Sequence, residues 1–71
     1  MFKVRKWSDT NAKPYDVVYL DTVNNNQHFQ GDVSFSTEAE AEVYRKALAK
    51  SADEVGIKYL LDTWPIDGAV E

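Results

Sequence analysis

One helix is marked at both of its ends in this sequence, and it limits what the rest of the chain can form. Thr37 followed by Glu40 is a capping box, in which each side chain can satisfy a free backbone N–H group of the first helical turn. Gly56 stands where a glycine commonly ends a helix. The sequence therefore predicts one helix over about 38–54, preceded by three short segments and followed by one.

Residues that recur every three or four positions predict the face of this helix that packs on the core. They are Val43, Tyr44, Ala47, Leu48, Ser51 and Val55.

Two segments near the start of the chain have strand patterns. In 2–7, Phe2 and Val4 face one side, and the other side carries Lys3, Arg5 and Trp7. Segment 15–23 is rich in β-branched and aromatic residues on both faces, which favours a central strand covered on both sides.

The third and fourth strands are predicted on either side of the helix. Segment 28–36 alternates, with Phe29 and Phe35 toward the core and His28 toward solvent. Segment 57–64 alternates as well, and a crossover helix before it predicts a strand parallel to the third.

The predicted fold class is α+β: a four-stranded mixed or antiparallel sheet with one helix on one face, in the order β-β-β-α-β. Residues 1–71 are expected to form one domain in which 66–71 are a frayed tail. A single helix covers a single face of the sheet, so the second face must meet solvent, loops or a partner.

Composition argues against most catalytic and metal chemistry. The chain has no cysteine and one histidine, which is too few for a zinc site, and its three glycines form no phosphate-binding loop. A histidine without a cysteine or an arranged carboxylate is a poor basis for nucleophilic catalysis. We therefore expect no enzyme activity, no cofactor and no metal, and a cytoplasmic protein without a membrane segment.

The chain has a net charge of −4, and its charged residues are unevenly distributed along the sequence. Residues 1–14 hold four bases and one acid, whereas 15–44 hold six acids and no base. The acids near the predicted helix start are candidate binding residues for a basic partner: Asp32, Glu38, Glu40 and Glu42. Acids in this position also cap and stabilise a helix, so both interpretations stay open.

The second candidate surface is the sheet face away from the helix. Aromatic and apolar residues are expected on or near it, together with Lys3 and Arg5: Trp7, Tyr15, Tyr19, Leu60 and Trp64. Such a patch suggests an interface, since Trp, Tyr and Arg dominate interface hot spots. The alternative is a small cluster covered by the C-terminal tail.

In size, charge and architecture, though by no motif, the chain resembles small phage-encoded inhibitors, anti-CRISPR proteins among them. The resemblance implies a protein that occupies a surface of a larger host protein or nucleoprotein complex, one with a basic surface. No functional residue is carried over from it. Two alternatives remain. One is a nucleic-acid-binding domain that uses Lys3, Arg5 and Trp7, although the acidic net charge disfavours it. The other is an interaction module that forms a homodimer rather than a monomer.

Overall fold

The computed structural model describes residues 1–70, except for the side chains of residues 55 and 60. Its elements are, in order, β1 (Phe2–Lys6), β2 (Tyr15–Asp21), β3 (Asn26–Phe29), α1 (Glu38–Val55) and α2 (Ile57–Thr63). The strands form an antiparallel sheet in the order β1-β2-β3. The α+β class is therefore confirmed, and the prediction of a four-stranded sheet is wrong.

The segment predicted as a fourth strand is the helix α2. Gly56 ends α1 with a φ of 92°, and its N–H donates to the Ala52 carbonyl at 2.9 Å. After this glycine, Ile57, Leu61 and Trp64 recur at helical spacing, and Ile57 and Trp64 pack in the core. An apolar segment this short fits the two-residue period of a strand as well as the 3.6-residue period of a helix. Packing against the core selects the helix.

The first two strands follow the prediction closely. Val4 lies opposite Val17, and Lys3 lies opposite Val18. Val17 and Val18 are both buried, on opposite faces of the sheet, which confirms β2 as a central strand covered on both sides.

The third strand is shorter than predicted, and its faces are reversed. β3 ends at Phe29, and a turn at Gly31 separates it from Phe35, which forms an isolated bridge with Tyr15. His28 is buried on the helix-covered side, so the prediction that it faces solvent is wrong. Its Nδ1 lies 2.9 Å from the Trp64 carbonyl oxygen; a carbonyl can only accept, so Nδ1 donates.

α1 lies over one face of the sheet and closes the core on Phe2, Val17 and Trp64. The predicted N-cap is confirmed, because the Thr37 hydroxyl oxygen accepts from the Glu40 N–H at 3.2 Å. The predicted packing stripe is only partly right. Ala41 is fully buried, whereas Val43 is 70 % exposed. Residues two positions apart point about 200° apart on a helix, so the burial of Ala41 turns Val43 outward.

The C-terminal segment runs along the outer edge of β3. The N–H groups of Gln27 and Phe29 donate to the carbonyls of Gly68 and Pro65, and the Asp67 N–H donates to the Gln27 carbonyl. Residues 66–70, which the sequence predicts to fray, thus cover one edge of the sheet.

Within the described residues, neither helix is long and apolar enough to cross a membrane.

Candidate interaction surface

The four predicted acidic candidates lie around the start of α1, but they differ in what they contact. The Glu40 carboxylate accepts from the Ser36 hydroxyl at 2.9 Å and from the Thr37 hydroxyl at 3.0 Å. Glu42 accepts from Arg45 one turn later. Asp32 and Glu38 are exposed, and neither carboxylate makes a hydrogen bond or ion pair with residues 1–70. Asp32 and Glu38 are therefore the members of this group available to a partner.

Hydrogen bonds to these carboxylates have a consequence for stability at acid pH. The Ser36 and Thr37 hydroxyls lower the pKa of Glu40, and Arg45 lowers the pKa of Glu42. A carboxyl whose pKa is lower in the folded state stabilises the fold above its unfolded pKa, about 4.3 for Glu. That contribution is lost as the pH falls through the folded pKa.

We therefore expect the thermal midpoint to fall on acidification below about pH 4.3, with Glu40 as one source of the loss. Glu40→Gln should lower the midpoint at pH 7 and flatten its acid dependence, so that variant and parent converge near pH 3. Circular dichroism melts across this pH range measure it, and Glu38→Gln controls for removal of one charge from the same turn. Parallel curves for parent and Glu40→Gln would contradict the assignment.

An apolar groove of about 430 Å³ lies on the outer side of α1 beside the segment that leads into it. Its lining, called the α1 groove from here on, consists of Phe35, Glu40, Val43, Tyr44 and Ala47. The Phe35 and Tyr44 rings are 5.1 Å apart between centroids, in a tilted arrangement. Sequence reasoning missed this site because it assigned Val43, Tyr44 and Ala47 to the core face of the helix and Phe35 to a core strand.

Tyr44 is held in place by its hydroxyl, which donates to the Gln30 side-chain carbonyl at 2.6 Å. Burial raises the pKa of the Tyr44 phenol, and the negative charge of nearby Asp32 adds to the rise. The hydroxyl thus stays protonated at neutral pH and fixes one wall of the α1 groove. The exposed Asp32 carboxylate is close enough to Tyr44 for its charge to act on the phenol.

The charges around the α1 groove are mixed, with acids at its start. Glu40 is part of the lining, and Lys13 is near enough to Glu40 to affect its carboxylate. Lys46 and Lys50 are exposed further along α1. The start of α1 is thus the more acidic end of this surface.

The predicted aromatic face is not assembled as expected. Trp64 is 5 % exposed, and its ring packs edge-on against Phe2 with centroids 5.8 Å apart. The Tyr19 ring also packs on Phe2, with centroids 5.1 Å apart, and Tyr15 lies on the same sheet face as Tyr19. The placement of Trp64, Tyr15 and Tyr19 on the uncovered face is therefore wrong. The Leu60 side chain lies outside the described residues.

Trp7 and Lys3 do lie on the face away from α1, and Trp7 is 45 % exposed. Arg5 extends across the same face and is bound by two acids. Its Nε and Nη2 donate to the two oxygens of Asp16 at 3.1 and 2.7 Å, and its Nη1 donates to Asp67. One positive and two negative charges leave this Arg5 cluster with a net charge of −1.

A groove of about 420 Å³ borders the Arg5 cluster, and Trp7, Phe29, Gly31 and Ser34 are among the residues that line it. Phe29 lies under the Arg5 guanidinium, with the ring centroid 6.0 Å from Cζ. A Cβ at Gly31 would lie 3.1 Å from Phe29 Cε2, so a larger residue there would require the Phe29 ring to shift. The charged groups in this groove, Arg5, Asp16 and Asp67, already bind one another, so we interpret them as a structural cluster.

Metal ligands do not converge anywhere in the described part of the chain, where no group of three or more His, Cys, Asp or Glu residues could hold an ion. Comparison of the chain with models of known protein families, with curated proteins and with solved structures found no match. No relative therefore supplies a partner, an activity or a functional residue for this chain.

Proposed function

We propose that this protein acts without catalysis, by binding a larger protein or nucleoprotein complex through the α1 groove. The observation that carries the proposal is the position of Val43, which is 70 % exposed beside the Phe35–Tyr44 ring pair. Single exposed apolar residues are ordinary, but an aliphatic side chain continuous with two aromatic rings forms a patch. Apolar centres with polar surroundings are the usual anatomy of protein interfaces.

The chemistry of the partner follows from the surroundings of the α1 groove. An apolar side chain of the partner would enter beside Val43, and basic residues next to it would meet the exposed carboxylates of Asp32 and Glu38. The net charge of −4 supports this choice, because opposite charges steer association. By occupying a basic surface of its partner, the protein would act as an inhibitor of that partner. A cytoplasmic location fits this role.

Nucleic-acid binding through Lys3, Arg5 and Trp7 is less well supported. The Arg5 guanidinium is already bound by the carboxylates of Asp16 and Asp67, so a phosphate would have to displace one of them. The acidic net charge also opposes attraction to a polyanion. Retention of oligonucleotides at low salt by the parent, lost in Lys3→Glu, would favour this alternative instead.

The experiment is a comparison of two lysine substitutions at exposed valines. A partner is first isolated from the source organism with the tagged chain, and its affinity for purified variants is then measured. Val43→Lys places a charge in the α1 groove, and we expect it to weaken binding at least ~10-fold, equivalent to about 1.4 kcal/mol. Val23→Lys is the matched control, since Val23 is 91 % exposed in the turn after β2.

Both variants should keep the parent's thermal midpoint, because each valine is largely outside the core. Equal affinity of Val43→Lys and Val23→Lys for the partner would rule out the α1 groove as the binding surface. A complex of two copies of this chain, seen by light scattering, would replace the proposal with homodimerisation.

A further inference from the structure

The two outer edges of the sheet differ in whether another segment of the chain hydrogen-bonds to them. The edge of β3 is covered by residues 65–70, which hydrogen-bond along it. β1 pairs with β2 on one side, and within the described residues no element pairs with its other side. An open strand edge is a template for another strand, which proteins usually cover or protect with charge.

The register shows which backbone groups this edge presents. The Leu20 N–H donates to the Met1 carbonyl at 2.8 Å, and the Trp7 N–H donates to the Pro14 carbonyl at 2.8 Å. Hydrogen-bonded pairs alternate with non-bonded pairs in an antiparallel ladder, so the odd-numbered residues of β1 bond to β2. The N–H and C=O groups of Phe2, Val4 and Lys6 therefore point outward, and no described hydrogen bond uses them.

The side chains along this edge carry positive charge. Lys3 is exposed, and Lys6 is half exposed, with its ammonium 3.4 Å from the carboxylate of solvent-exposed Asp9. A second copy of β1 is poorly suited to this edge: antiparallel pairing centred on Val4 would set Lys3 opposite the other copy's Arg5, twice. Like charges directly opposite destabilise a strand pair, whereas opposite charges stabilise it.

We propose that the outer edge of β1 accepts an extended acidic segment of a partner protein, which adds to the sheet as a fourth strand. Acidic side chains opposite Lys3 and Lys6 and an apolar one opposite Val4 would match this edge. Backbone hydrogen bonds supply affinity in this mode of recognition, and side chains supply specificity. This surface is separate from the α1 groove and does not depend on it.

The test uses the full chain labelled with 15N and a synthetic peptide, acetyl-Ser-Glu-Thr-Val-Glu-Thr-Ser-amide. Its antiparallel alignment sets the two glutamates opposite Lys3 and Lys6. We expect the amide protons of Phe2, Val4 and Lys6 to shift downfield and to exchange more slowly with solvent. A peptide with lysines in place of the glutamates should bind roughly 5- to 30-fold more weakly.

Two variants separate charge from backbone recognition. Lys3→Glu combined with Lys6→Glu should reverse the preference between the acidic and basic peptides. Lys6→Pro removes an outward N–H, whereas Lys6→Ala keeps it, so the proline variant should bind the acidic peptide several-fold more weakly than the alanine variant. The charge reversal decides the question if Lys6→Pro does not fold.

Each of the following results would overturn the proposal. The first is no binding of the acidic peptide up to its solubility limit. The second is equal binding of both peptides, or shifts centred on the α1 groove. The third is a set of β1 shifts that depend on protein concentration without peptide, which would assign the edge to self-association.

Discussion

Trp64→Ala should leave a large fraction of the chain unfolded at room temperature. Trp64 is buried, its ring packs on Phe2, and its carbonyl accepts from the Nδ1 of buried His28. Truncating a buried tryptophan costs about 3–5 kcal/mol. A domain of this size has a total stability on the order of 3–5 kcal/mol, so the loss equals the whole margin. Urea unfolding followed by circular dichroism measures it.

Trp7→Ala is the matched control for this experiment. Trp7 is the same residue type and is about half exposed on the opposite face. We expect it to cost about 1 kcal/mol or less and to leave the fold intact. The two tryptophans would be equivalent if both formed an exposed aromatic patch. Similar stabilities for the two variants would therefore contradict the packing described for Trp64.

Arg5→Met should destabilise the domain by about 3–5 kcal/mol, because it leaves a carboxylate buried without its cation. Asp16 is 5 % exposed, and the Arg5 guanidinium binds both of its oxygens. The methionine keeps much of the apolar length of arginine, so the loss reports mainly on the charge. Urea unfolding again provides the measurement.

Two companion variants test the physical reason. Arg5→Met combined with Asp16→Leu removes both charges and should recover most of the stability, since replacing a buried ion pair with apolar residues is often neutral. Asp67→Asn removes the charge from only the more exposed partner of Arg5 and should cost about 0–1 kcal/mol. A small effect of Arg5→Met, comparable to that of Asp67→Asn, would show that Asp16 is not held as described.

Local signals predicted much of the fold correctly. The α1 boundaries follow from Thr37, Glu40 and Gly56, because capping and glycine termination act within a few residues of the chain. β1 and β2 were found because their residues alternate or are apolar throughout. These properties depend little on the rest of the molecule.

The errors share one cause, which is that packing between elements selected among equally good local patterns. Ile57, Leu61 and Trp64 fit a helix as well as a strand, and contact with the core selected α2. α1 is rotated so that Ala41 is buried and Val43 is exposed, and no period in the sequence distinguishes this rotation from the one that buries Val43. The reversal of β3 likewise depends on the distant Trp64 carbonyl that accepts from His28.

Because of these errors, the candidate binding surface seen in the structure differs from the one predicted from the sequence. Trp64 and Tyr19 of the predicted aromatic face pack in the core, whereas the residues of the α1 groove other than Glu40 were assigned to packing by the sequence. Among the predicted acids, Glu40 and Glu42 are bound within α1 and its cap, so Asp32 and Glu38 remain for a partner. The acidic interpretation thus persists in a narrower form, next to an apolar surface.

The most direct test of the α1 groove is a map of its methyl groups in the bound state. The 13C-labelled protein is titrated with the purified partner, and the methyl signals of valine and alanine are followed by NMR. We predict that Val43 and Ala47 shift or broaden as the complex forms, while Val23 does not change. Shifts confined to other residues, with Val43 and Ala47 unchanged at saturation, would contradict the proposal that this protein binds through the α1 groove.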